Sequence, residues 1–88
     1  MNEMEMNVKK LFYDMATYYW KGDGDLFEIF QTVSGWYDAF ITNPNGNNMQ
    51  TLLNKLKNSS RNGDANAEYY YKELSKMIGK ESGTNASV

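Results

Sequence analysis

Residues 25–42, which read DLFEIFQTVSGWYDAFIT, decide the fold of this chain. Apolar side chains recur there three or four positions apart, which is the spacing of one face of an α-helix. Asp25 followed three residues later by Glu28 is the capping-box pattern that begins a helix. We therefore predict a helix to about Thr42, in which Gly35 indicates either a close approach by another helix or a bend of the axis. Its predicted core face is Leu26, Ile29, Phe30, Val33, Trp36 and Phe40.

Toward the N-terminus, the same period predicts a first helix from Asn2 to about Lys21. Asn2 is placed to act as the N-cap, with Glu5 reaching back to it, and Gly22 supplies a left-handed stop. The turn 22–24 then leads into the second helix. The apolar face of the first helix is Met4, Val8, Leu11, Phe12, Met15 and Tyr19.

Toward the C-terminus, residues 43–47 (Asn-Pro-Asn-Gly-Asn) form the strongest loop signal, because proline disfavours the α conformation before it and Asn-Gly favours turns. We predict that Asn48 caps a third helix, which is narrow in its apolar face and frays near Ser59 and Ser60. Its core face is Met49, Leu52, Leu53 and Leu56.

The sequence Arg61-Asn62-Gly63 predicts a second break, after which either Asp64 or Asn66 can cap a fourth helix that ends at Gly79. Residues 81–88 lack apolar periodicity and are predicted to be a disordered tail. The core face of this helix is Ala67, Tyr70, Leu74, Met77 and Ile78. The predicted fold is therefore all-α, an antiparallel up-down four-helix bundle that forms one domain over residues 1–80.

The composition argues against several classes of function. The 88 residues include no Cys and no His, which removes disulfides, thiolate sites and imidazole ligands. A net charge of −2 is too mild for a DNA mimic and has the wrong sign for a basic nucleic-acid clamp. No apolar run approaches the roughly 20 residues that span a bilayer, and the acidic, polar start differs from a signal peptide. We expect a cytoplasmic protein without direct membrane insertion.

No set of residues has the pattern of a catalytic or metal site. General acid–base catalysis uses His or carboxylates with shifted pKa values, and here Asp25 and Glu28 are explained as helix caps. The start of the Asp23-Gly24-Asp25 stretch is similar to a Ca²⁺ loop, but Ser34 stands where the bidentate Glu is required. We predict that the chain is not an enzyme, and that it has no metal and no cofactor.

Two aromatic triplets, Tyr18-Tyr19-Trp20 and Tyr69-Tyr70-Tyr71, are the least ordinary features of the sequence. Three consecutive aromatic residues cover most of the circumference of a helix, so at least one of each triplet should be exposed. In the structural interpretation, the tyrosine rings pack at the margin of the core with their hydroxyl groups in water. In the functional alternative, they form a patch that binds a partner. The cluster of Lys55, Lys57 and Arg61 is interpreted as a solvated face, in preference to a phosphate-binding surface.

Four segments of the chain, taken in order, resemble the enterocin A immunity family, the proteins that protect lactic acid bacteria against pediocin-like bacteriocins. The segments are LFYDM at 11–15, DLFEIFQTV at 25–33, LLNKL at 52–56 and ELSKMIG at 73–79. The resemblance implies a cytosolic protein that does no chemistry. It implies binding to the bacteriocin-engaged mannose permease from the cytosolic side, which prevents leakage, with the C-terminal half selecting the bacteriocin.

By that analogy, the surface of the fourth helix is expected to carry recognition. The predicted partner-binding residues are the polar or aromatic positions outside its core face and at the preceding break, namely Arg61, Tyr69, Lys72, Lys76 and Lys80. An alternative function is that of a small phage or mobile-element protein that inhibits a host protein by direct binding through its tyrosines. A third is weak nucleic-acid binding, which would be sensitive to salt.

Overall fold

The computed structural model describes residues 3–19 and 26–83, and these form four α-helices. They are α1 (Glu3–Tyr19), α2 (Leu26–Thr42), α3 (Asn47–Arg61) and α4 (Ala65–Gly83). No strand occurs within the two described ranges, so the predicted all-α four-helix class is confirmed. The chain divides into two compact units, Met1–Asp38 and Ala39–Val88. The single domain over residues 1–80 stays a prediction.

In the first unit, α1 and α2 contact each other through large side chains. The ring centroids of Phe12 and Trp36 lie 5.7 Å apart, and those of Tyr13 and Phe30 lie 5.6 Å apart. With the contact of Lys9 with Tyr37, residue numbers rise along α1 as they fall along α2, so the two helices run antiparallel. The buried residues of α1 are Val8, Leu11, Phe12, Met15 and Ala16.

Three residues predicted to face the core are exposed instead: Tyr19, Leu26 and Phe30. Successive helical residues point about 100° apart, so Phe30 lies well round the helix from its buried neighbour Ile29. The physical reason is that a side chain of a helix is buried only where another part of the protein packs against it. The buried stripe of α2 is narrower than its apolar stripe, and it consists of Ile29, Val33 and Phe40.

In the second unit, α3 packs against α4. Only residues 62–64 join the two helices, and so short a connection makes them antiparallel neighbours. The predicted core faces are confirmed, except that Met77 is only half-buried. The buried residues are Met49, Leu52, Leu53 and Leu56 of α3, and Ala67, Tyr70, Leu74 and Ile78 of α4.

The prediction that Asn48 caps α3 is wrong, because Gly46 occupies the N-cap position and Asn48 lies in the first turn. The preceding loop explains the earlier start. The carbonyl oxygen of Asn43 accepts the N–H of Gly46 at 2.9 Å, while its side-chain oxygen accepts the N–H of Asn45 at 3.2 Å. This turn brings the chain into helical conformation before Asn48 is reached.

The predicted ends of α3 and α4 also need correction. α3 continues through Ser59 and Ser60 to Arg61, and α4 continues through Gly79 to Gly83. Glycine in a helix costs about 1 kcal/mol relative to alanine, which is too little to end a helix that packing supports. The tail expected to be disordered from residue 81 therefore begins with three helical residues. The predicted features at Asn2, at 20–25 and at 84–88 lie outside the described residues.

Gly35 lies within α2, and no atom approaches within 4 Å of the position that a Cβ there would take. The close approach of another helix, one of two explanations for this glycine, is therefore wrong.

In the described ranges, no helix is both long and apolar enough to cross a bilayer.

Candidate interaction surfaces

The start of α4 is fixed by Asp64. Its Oδ1 atom accepts the backbone N–H of Asn66 at 3.0 Å and that of Ala67 at 3.1 Å. Of the two predicted caps, the structure therefore assigns the role to Asp64. The preceding Gly63 has a φ of 97°, a left-handed conformation that turns the chain between α3 and α4. Together these two residues set the direction in which α4 leaves the turn.

Four of the five predicted partner-binding residues form one stripe along α4, which we call the outer face. Their spacing of three, four and four residues keeps them on the same side of a helix. Leu74 and Ala67, which are fully buried, lie on the opposite side. All four members of the outer face are exposed: Tyr69, Lys72, Lys76 and Lys80.

The lysines of the outer face lie beside acidic residues of the same helix. Lys72 Nζ is 3.2 Å from a carboxylate oxygen of Glu68, and Lys76 Nζ is 3.2 Å from one of Glu73. Exposed pairs of this kind contribute only about 0.3–0.5 kcal/mol each. Their main effect is on the electrostatic potential at the surface, because each carboxylate offsets part of the positive charge of its lysine. The outer face thus carries both signs of charge, unlike a phosphate-binding stripe.

Tyr69 is the aromatic member of the outer face, and its side chain is 56% exposed. Its ring meets that of the buried Tyr70 with centroids 5.6 Å apart and planes at 62°. This edge contact with a buried neighbour favours one position of the exposed ring. In the described part of the first triplet, Tyr18 and Tyr19 are both exposed. The prediction that each triplet exposes at least one side chain is confirmed.

Arg61, the fifth predicted residue, is exposed but belongs to α3, of which it is the last residue. Residues 62–64 separate it from the beginning of α4. The continuous stripe therefore consists of α4 residues alone.

A second surface, which the sequence analysis missed, lies on the α1–α2 pair within the first unit. It is an open groove of about 290 Å³, whose floor includes the buried Val33. We call it the aromatic groove, and it is lined by Lys9, Tyr13, Phe30, Ser34, Tyr37 and Asp38. The rings of Tyr13 and Phe30 meet edge to face at 78°.

Lys9 is held in place at one side of this groove. Its Nζ atom lies 4.7 Å from the centroid of the Tyr37 ring and 3.2 Å from a carboxylate oxygen of Glu5. The lysine therefore combines a cation–π contact with an ion pair. One sequence signal could have indicated this surface: Phe30, Ser34 and Tyr37 repeat at helical spacing beside the buried stripe of α2.

The described residues include no buried polar or charged side chain, and among them no cluster of acidic residues is placed to hold a metal ion. Comparison of the chain with protein-family models, with curated proteins and with solved structures gives no match.

Proposed function

We propose that this chain is a non-enzymatic interaction protein of the bacteriocin-immunity type, which acts in the cytoplasm on a membrane permease engaged by a bacteriocin. The observation that carries the proposal is the outer face of α4, a stripe of one tyrosine and three lysines opposite a fully buried side. The resemblance of four segments to the enterocin A immunity family supplies the class of partner.

The outer face has physical properties that suit protein recognition. α4 is fixed by packing against α3 and by the Asp64 cap, so little backbone freedom is lost when a partner binds. Tyr69 offers a large ring with few rotatable bonds, and such residues often anchor interfaces. Lys72 and Lys76 offer donors for carboxylates and backbone carbonyls of the partner.

The same charges disfavour a nucleic-acid partner. Glu68 and Glu73 lie 3.2 Å from two of the lysines, and the chain as a whole has a net charge of −2. A polyanion approaching α4 would meet carboxylates as well as ammonium groups, whereas a protein surface of mixed charge can satisfy both.

Survival of a sensitive strain is the direct test. The chain is expressed in a strain that pediocin-like bacteriocins kill, and survival is measured across a panel of those bacteriocins. We expect higher survival against at least one member of the panel. No protection against any member, in cells where the folded chain accumulates, would contradict the proposed function.

Variants of the outer face locate the active surface. The triple substitution Tyr69→Ala, Lys72→Gln and Lys76→Gln removes the ring and two charges while leaving the buried side of α4 intact. We expect protection to be lost with helix content unchanged by circular dichroism. The matched control is Lys55→Gln with Lys57→Gln, two exposed lysines of α3. If the control loses protection and the triple variant keeps it, the outer face is the wrong surface.

A second candidate function, inhibition of a host protein by direct binding, is favoured by the apolar surface at the start of α2. Leu26 and Phe27 are 68% and 67% exposed, and the immunity proposal gives them no role. The two side chains are adjacent, and contiguous exposed apolar surface is the kind that marks a protein–protein interaction site. Reproducible co-purification with a single host factor other than the permease, lost on Phe27→Ala, would support this candidate over the first.

A further inference from the structure

We propose that the aromatic groove of the first unit binds a cationic side chain, Arg or Lys, presented by an amphipathic helical peptide of a partner protein. The residues of this site differ from those of the α4 outer face, and the inference does not depend on the proposed function.

The rings of the groove have the arrangement that recognises cations. Tyr13 and Phe30 both line the groove and are both exposed, and their rings meet edge to face at 78° with centroids 5.6 Å apart. The negative face of an aromatic ring attracts a cation within about 6 Å of its centroid. The chain already uses this attraction nearby, where Lys9 Nζ lies 4.7 Å from the Tyr37 centroid.

The charge of the groove is complementary to a cation. Lys9 is offset by Glu5, whose carboxylate oxygen lies 3.2 Å away. Asp38 is exposed on the rim, and it has no ion pair or hydrogen bond with any residue in the described ranges. Among the residues that the structure describes, the groove therefore presents one carboxylate without a paired cation beside aromatic rings. An Arg or Lys side chain satisfies both features at once, whereas an anionic ligand satisfies neither.

The dimensions indicate a peptide side chain. A volume of about 290 Å³ lies at the lower limit of small-molecule pockets, which suits one or two side chains better than a nucleotide or cofactor. Phe27, Phe30, Ser34 and Tyr37 are spaced by three, four and three residues along α2, the spacing at which one helix receives the side chains of another. Ser34 is the small residue that opens the middle of this row. The occupant is therefore an amphipathic helix whose groove-facing side carries one cation, the helix-in-groove mode of recognition.

Three synthetic peptides test the proposal with the full chain. Each is a blocked amphipathic helix of about 16 residues, long enough to form a helix in the complex. The three differ only at one central position, which holds Arg, citrulline or Glu. Affinity is measured by titrating each peptide into ¹⁵N-labelled protein and following amide chemical shifts. We expect the Arg peptide to bind most tightly and the Glu peptide least, with the largest shifts between residues 9 and 13 and between 30 and 38.

Matched variants test whether the preference for the Arg peptide depends on the carboxylate of Asp38. Asp38→Asn should weaken binding of the Arg peptide by about two- to fivefold and leave the citrulline peptide unchanged, since only the charge–charge contact is lost. Glu3→Gln, which removes an exposed carboxylate of α1 outside the groove, should leave all three affinities unchanged. Phe30→Ala should weaken all three peptides.

Two results would overturn the proposal. The first is equal affinity for the Arg and citrulline peptides, or an Arg preference that Asp38→Asn leaves intact. The second is self-association in sedimentation equilibrium that Phe30→Ala abolishes and that no peptide competes with, because the occupant would then be a second copy of the chain.

Discussion

The side-chain oxygen Oδ1 of Asp64 lies 3.1 Å from the backbone nitrogen of Ala67 and accepts its N–H. Ala67 is fully buried, so this hydrogen bond joins the exposed turn after α3 to the core side of α4. The first N–H groups of a helix have no partner within the helix. Asp64 thus satisfies a donor that would otherwise be left without a partner close to the core.

Loss of this cap should lower the stability of the protein. We expect Asp64→Ala to reduce the free energy of unfolding by about 1 kcal/mol, and Asp64→Asn to reduce it much less, because asparagine also caps helices. Urea unfolding followed by circular dichroism gives both values. Asn66→Ala is the control, since Asn66 was the other candidate cap. A cost for Asn66→Ala equal to that of Asp64→Ala would mean that the cap is assigned to the wrong residue.

Gly63 adopts a left-handed conformation, with a φ of 97°, that residues with a Cβ rarely take. No atom lies within 4 Å of the place where a Cβ would stand, so the cost of a side chain there is conformational and not steric crowding. We expect Gly63→Ala to lower the free energy of unfolding by about 1–2 kcal/mol. Gly63→Asn should cost less, because asparagine tolerates this conformation better. Equal losses for the two variants would argue against the backbone as the cause.

The effect of Gly35→Ala on stability should be opposite to that of Gly63→Ala. Gly35 lies inside α2 without a positive φ, and a Cβ there would meet no atom within 4 Å. Alanine restricts the unfolded chain and has the highest helix propensity, so Gly35→Ala should raise the free energy of unfolding by about 0.5–1 kcal/mol. The midpoint temperature of thermal unfolding should rise by a few degrees. A loss of stability would show that a close contact at this position exists after all.

The sequence predicted those features of the fold that depend on local periodicity. Leu52, Leu56 and Leu74 recur at helical spacing and are buried, because apolar burial follows the pitch of the helix wherever a neighbour covers it. The outer face of α4 could be predicted for the same reason, as the complement of a buried stripe. Leu26 and Phe30 were misplaced because spacing alone does not say how much of the stripe a neighbouring helix covers.

The sequence carries a signal for the α2 row of the aromatic groove, but the groove itself could not be predicted, since it depends on which residues two helices bring together. Tyr13 and Phe30 are far apart in sequence, and only the antiparallel contact of α1 with α2 places their rings 5.6 Å apart. The misplaced cap at Asn48 has a different cause. The hydrogen bonds of the turn within residues 43–48 place Gly46 at the N-cap instead of an asparagine, and the sequence alone does not show which of these hydrogen bonds form.

Substitutions on the buried side of α4 should lower the stability of the protein, whereas substitutions on its outer face should have little effect on stability. Leu74 is fully buried, so Leu74→Ala should cost about 2–5 kcal/mol, through lost apolar burial and the cavity left behind. Tyr69 is 56% exposed, and Tyr69→Ala should cost about 1 kcal/mol or less, mainly from its edge contact with Tyr70. Urea unfolding of both variants tests the difference. Comparable costs would mean that Tyr69 is a structural residue, and its loss could then no longer be used to test binding at the outer face.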